Sequence, residues 1–271
     1  MHTWNWRTWQ GKDYLTCDLI EHSHGFFTAQ FAPAPPETLT AALVSGAEVL
    51  RVKQVHGAAV LSATEISQAT RQRVSVGAEA AAMPPGVERP QADGGISDGF
   101  NQSLWVCSAD CTPALIADSQ TGQVAAVHAG WRGTAQKILP VAIAKLQAQG
   151  SELHNLKVLL GPAVAGEVYQ VGKDVAAQVG RTVVAADDYP SDALLIAHLQ
   201  SIERPPVLSD DSPDHARLDV RRINQMQLEQ LGLSPEQIAI APHCTFQEPE
   251  TFFSYRRTRR KQVQWSGIVS R

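Results

Sequence analysis

The stretch from residue 105 to 137, WVCSADCTPALIADSQTGQVAAVHAGWRGTAQK, constrains the chain more than any other. Two apolar runs flank a turn, and a histidine and a glycine-bracketed Trp-Arg pair then lead into a helical pattern. If the runs pair as a hairpin across Asp118 to Thr121, Ala117 faces Gly122 and Cys111 faces His128. Directly opposed residues lie about 4.5–5.5 Å apart, so a thiol would meet an imidazole. A five-residue loop, Asp118 to Gly122, would instead turn His128 to the other face, because a one-residue slip inverts a strand. Pro113 cannot donate to a ladder and points to an edge or a bulge.

Composition sets the class. With 271 residues, 44% hydrophobic and 18% charged, the chain suits a soluble globular protein with a sizeable core. A net charge of -4 gives no basic footprint, which argues against nucleic acid as a partner despite the run Arg256 to Lys261. The start of the chain has no apolar signal region, and no stretch reaches about 18 uninterrupted apolar residues, so neither a signal peptide nor a membrane span is expected. A cytoplasmic address follows. The four cysteines, Cys17, Cys107, Cys111 and Cys244, are too sparse for a disulfide scaffold and should be reduced. On one strand Cys107 and Cys111 would sit about 13 Å apart, so only one can belong to a site.

Along the chain, Tyr14 to Phe31 reads as two short strands around a His22-Ser-His24-Gly turn whose histidines are exposed or capping. Glu37 to Ser45 reads as a helix, and residues 49 to 63 as strand, turn at His56-Gly57, and strand. Residues 65 to 91 show no sustained period and read as a surface excursion, leading to a tight turn at Asp93. After His128, Thr134 is a candidate N-cap for a helix whose stripe is Ala135, Ile138, Leu139, Ala142 and Leu146, with Pro140 predicting a kink or late start. The amides opening that helix, beside Arg132, suit an anion. A buried strand at 156 to 162, a helix opening within VYQVGKDVAAQVG, an amphipathic helix from Arg217 to Leu231 and a closing strand pair from Thr251 follow. This alternation predicts an α+β fold, one domain over residues 1 to 271 with a mixed β-sheet core and helices packed on it.

His56, Cys111 and His128 thus converge as candidate ligands. Two imidazoles and a thiolate leave a fourth position open, the pattern of a catalytic rather than a structural zinc. The same atoms also allow a metal-free reading: Cys111 as nucleophile, His128 as base and Asp110 or another acid orienting that base, a Cys-His hydrolase or deamidase.

The motifs KQVHG (53 to 57), SADCTP (108 to 113), VHAGWRG (127 to 133) and FFSYRR (252 to 257), with QAD (91 to 93) and LDVRRINQMQL (218 to 228), closely resemble the laccase-domain family. That family carries an old polyphenol oxidase label and a newer one, purine nucleoside phosphorylase with adenosine deaminase activity. The resemblance implies that His56, Cys111 and His128 bind zinc. It further implies that the substrates are phosphate and purine nucleosides such as adenosine, inosine, guanosine or methylthioadenosine. Gln54, Arg132, Tyr255 and Arg256 are then candidate substrate contacts. A copper oxidase is the weaker implication, since its clustered centres take about ten histidines and this chain has 9, scattered.

Overall fold

The computed structural model describes residues 2–77, 89–185 and 188–271. Strands and helices are numbered in chain order. One six-stranded sheet is built from β1 (Trp4–Trp9), β2 (Lys12–Cys17), β3 (His24–Phe27), β15 (Gln264–Val269), β7 (Gln102–Ser108) and β4 (Glu48–Arg51), in that order. A second six-stranded sheet runs β14 (Ile238–Ile240), β10 (Leu156–Leu160), β8 (Thr112–Asp118), β9 (Val124–Ala129), β6 (Gly94–Ile96) and β5 (Val60–Ser62). Both are mixed: β4 runs parallel to β7, and β5 and β14 run parallel to β6 and β10, while the other pairings are antiparallel. A small third sheet joins β11 (Gln170–Gly172), β13 (His215–Leu218) and β12 (Val207–Leu208). The predicted α+β class with a mixed sheet core is the observed one, with two large sheets instead of one.

The hairpin β8–β9 is the middle of the molecule because its residues are apolar on both faces. Leu115 and Ala117 point into the core shared with Leu104, Val106 and Ile268 of the first sheet. Ala114 and Ile116 point the other way, onto Ile138, Leu139, Ala142, Ile143 and Leu146 of α4 (Ile138–Ala148). Each of the Ile and Leu side chains among them removes apolar area worth about 1.5–3 kcal/mol from water. On the far side of the first sheet, Phe27 and Trp105 pack on Leu39 of α1 (Pro36–Leu43). The third sheet packs with α5 (Lys173–Gly180), α6 (Asp192–Ser201) and α7 (Val220–Gln230).

Several local expectations are corrected. The stretch after His128 makes two helices, α3 (Trp131–Ala135) and α4, separated at Lys137, whose φ of 58° ends one and opens the other. Pro140 therefore falls in the first turn of α4, where no amide is needed, which is the late start its presence predicted. Thr134 is not an N-cap: it lies inside α3, capped by Gly130, and its hydroxyl meets the Asn224 side chain. Residues 65 to 77 of the supposed excursion lie in α2 (Ala63–Gly77), and residues 78–88 lie outside the described residues. Tyr255 and Arg256 sit on a one-turn helix, α8 (Tyr255–Thr258), not on a strand, because the Ser254 hydroxyl accepts the amide of Arg257 as an N-cap. His22 and His24 are buried, not exposed.

Candidate metal centre

The hairpin register settles how the thiol and imidazole meet. Pro113 opposes His128 and Ala117 opposes Val124, two positions away from the predicted pairing. The four-residue loop length holds, but the loop starts one residue later, because Asp118 closes it by pairing with Gln123 and accepting the amides of Gln120 and Thr121 at 2.7 and 3.0 Å. A slip of two preserves the face. Cys111, just before β8, is thus a diagonal neighbour of His128 and lies against Gly130. A Cβ on Gly130 would stand 2.8 Å from the Cys111 Sγ, so only glycine fits there.

His56 arrives from the loop between β4 and β5, with φ +60° in the left-handed region. It is held there by Asp93, a carboxylate with no exposed surface. One Asp93 oxygen, Oδ1, accepts the His56 amide at 2.9 Å and the His128 Nδ1–H at 2.9 Å. The other, Oδ2, accepts the amides of Val55 and Gly57 at 3.1 and 2.7 Å. Burial works against this charge, yet the bonds from His128 and the loop amides hold the carboxyl below its usual range. Sequence reasoning had made Asp93 a turn residue; an acid followed by two glycines beside a histidine loop was the available signal.

One donor atom from each of His56, Cys111 and His128 lies within 4.8 Å of the other two. The two imidazole rings meet edge-on with centroids 4.8 Å apart. His128 is buried, Cys111 partly buried and His56 exposed, so the cluster opens to solvent on the His56 side. Burial pushes the Cys111 thiol up, but its hydrogen bonds to His128 and His56 outweigh that and bring it down to about 6. Burial likewise opposes charge on His128, which its bonds to Asp93 and Cys111 raise to about 9. Nδ1 is committed to Asp93, which leaves Nε2 for the Cys111 side. The donor set fits a metal: one thiol sulfur and two imidazole nitrogens within 4.8 Å of one another are the ligand types that zinc takes.

The surroundings are tied by Asp110, whose φ is +92°. Its carboxylate accepts the Thr245 hydroxyl at 2.8 Å and the Arg256 amide at 2.6 Å; it does not bond His128, so the acid beside that histidine is Asp93. Arg256 stacks its guanidinium over Tyr169 at 4.8 Å. Burial raises the Tyr169 hydroxyl to about 12, with the nearby Cys111 charge adding to it. Tyr169 was missed by sequence reasoning, which placed it in a helix; it precedes β11 in a short turn. Arg132 is exposed and stacks on Trp131 at 4.4 Å. Tyr255 is 45% exposed. Gln54 spends both ends of its amide on the Cys107 backbone, each at 2.8 Å, and so anchors the His56 loop to β7. Burial raises the Cys107 thiol to about 11. No disulfide is present: all four cysteines are free.

A family model described as multi-copper polyphenol oxidoreductase laccase matches residues 36–270. The chain belongs to that family. A purine nucleoside phosphorylase of Synechocystis is 52% identical over 268 residues, covering 98% of this chain and 97% of its own. An adenosine deaminase, RL5, of an unknown prokaryotic organism is 30% identical over 154 residues, 57% of this chain and 52% of its own. The crystal structure of YlmD from Geobacillus stearothermophilus superposes with a TM-score of 0.75 at 22% identity, covering 97% of this chain and 98% of that one, so the fold is shared. No helix among the described residues is long and apolar enough to cross a membrane.

Proposed function

We propose that this protein is a zinc-dependent purine nucleoside phosphorylase with adenosine deaminase activity, the whole chain acting as one unit in the cytoplasm. The observation that carries the reading is the solvent-open His56–Cys111–His128 cluster on a chain that matches a protein named purine nucleoside phosphorylase over nearly its whole length. A bound zinc would supply a Lewis acid able to polarise a substrate atom and to acidify a water. His56, Cys111 and His128 would hold it. Asp93 keeps the His128 proton on Nδ1, freeing Nε2, and fixes the loop that carries His56. In phosphorolysis a phosphate oxygen bonds to the ribose C1′ as the C1′–N9 bond breaks and the purine leaves with a proton. In deamination a water oxygen replaces the amino group at purine C6, and ammonia leaves. Gln54, Arg132, Tyr255 and Arg256 are the substrate contacts of this reading, with Gln54 acting through its bonds to the Cys107 backbone to position the His56 loop.

A multicopper site is disfavoured by count: His56, Cys111 and His128 are the single three-donor cluster among the described residues. Cys111, His128 and Asp93 also line up as thiol, base and carboxylate, which supports the metal-free hydrolase as a second reading. His56 beside the same thiol favours zinc.

The test is metal analysis of protein purified without added metal, then incubation with adenosine and with inosine, with and without phosphate. Expected are about one zinc per chain, phosphate-dependent release of base and phosphate-independent conversion of adenosine to inosine. Both activities are lost in His56→Ala and Cys111→Ala. A metal-free active enzyme, or His56→Ala with full activity, overturns the reading.

A further inference from the structure

Of the cations around the cluster, Arg256 is the one the fold builds into place. Its amide is locked on the Asp110 carboxylate at 2.6 Å, one residue from Cys111 in the chain. Its guanidinium lies over the Tyr169 ring, 4.8 Å from the ring centre. The next residue, Arg257, pins the segment by donating to the carbonyls of Thr245, Phe246 and Phe252. Despite this, no carboxylate among the described residues forms an ion pair with the Arg256 guanidinium. Arg132, by contrast, is exposed and sits on a helix of 5 residues. A guanidinium fixed by stacking and left without a counter-ion is a ready fork for an oxyanion, because it loses little rotamer freedom on binding one.

The geometry points to the Arg256–Tyr169 stack as the phosphate subsite, taking the inorganic phosphate co-substrate through the guanidinium fork. This rests on the phosphorolysis reading above, in which phosphate is the one anionic reactant. It moves the anion contact from Arg132, where the sequence had put it, to Arg256 on α8. Tyr169 acts as a positioning residue that holds the guanidinium plane.

Because deamination uses no phosphate, the two activities separate the roles. Arg256→Gln should raise the KM for phosphate ten-fold or more and lower the ratio of phosphorolysis to deamination by a similar factor, with zinc content retained. Arg256→Lys, which keeps the charge without the fork, should fall between. If Arg256→Gln does not fold, Tyr169→Leu, which removes the ring the guanidinium stacks on, is read in its place, with a phosphate KM raised about three-fold or more. A phosphate KM within two-fold of the parent, or equal loss of both activities, overturns the subsite. Absence of phosphate-dependent cleavage in the unsubstituted enzyme overturns the function itself, a separate outcome.

Discussion

Replacing Asp93 by Asn removes one charge and little volume, yet it strikes both histidines. Each carboxylate oxygen accepts two bonds: Oδ1 from the His56 amide and the His128 ring, Oδ2 from the amides of Val55 and Gly57. An amide keeps one oxygen, so either orientation loses two acceptors and turns an NH2 group toward two N–H donors. Bonds to a charged group contribute about 1.5–3 kcal/mol each, so the combined loss is about 3–6 kcal/mol. Part of it falls on the ligands: outer carboxylates bonded to a ligating histidine are worth about 10–100-fold in metal affinity, or about 1.4–2.7 kcal/mol. Zinc affinity is read by competition with a chromogenic chelator at neutral pH, and fold stability by denaturant unfolding of the metal-free protein. The expected result is Asp93→Asn weaker in both. Zinc affinity within two-fold of the parent, with unfolding unchanged, would falsify the role assigned to Asp93.

Gly130→Ala should cost about 1–3 kcal/mol and displace Cys111, since its Cβ would sit 2.8 Å from Sγ; zinc content after dialysis reports the displacement. His24 is held neutral, its Nδ1–H donating to the His22 carbonyl and its Nε2 accepting the Cys17 amide, and burial lowers its pKa from 6.5 to about 4. The unfolded chain therefore binds the extra proton first, so stability is full above pH 6.5 and declines as pH falls toward 4, by up to about 3 kcal/mol; urea unfolding of parent and His24→Asn across that window should show the slope and its loss. Leu139→Ala, at a site with no exposed surface between α4 and the second sheet, should lower unfolding free energy by about 2–5 kcal/mol without altering zinc stoichiometry.

What could be read from the chain divides along a physical line. His56, Cys111 and His128 were legible because thiol and imidazole at strand ends signal their chemistry by residue type alone. The exact pairing was not, because Asp118 uses its side chain to close the turn one residue later; parity survived, so the face did too. Asp93 and Tyr169 escaped because their roles come from contacts with residues distant in sequence. α2 was missed because its early turns mix Thr, Glu, Gln and Ser with few apolar residues, which leaves a weak apolar stripe to detect. α8 was missed for its length, although Ser254 before it was a usable start signal. The mixed-sheet class was legible; that two such sheets stack depends on β3, β7 and β15 pairing across most of the chain, which no local pattern encodes.

The ligand set also decides when metal can enter the life of the protein. His56, Cys111 and His128 ride on separate segments that meet only once β5, β6, β8 and β9 have joined into one sheet. The closure entropy of those long loops is met by the buried hydrophobic clusters, not by coordination bonds. Unlike a small zinc module that is unfolded without its ion, this chain would on the proposed reading assemble its donors first and receive the ion afterwards. A bound ion would then exchange on the exposed His56 side, by motion of a loop rather than by global unfolding.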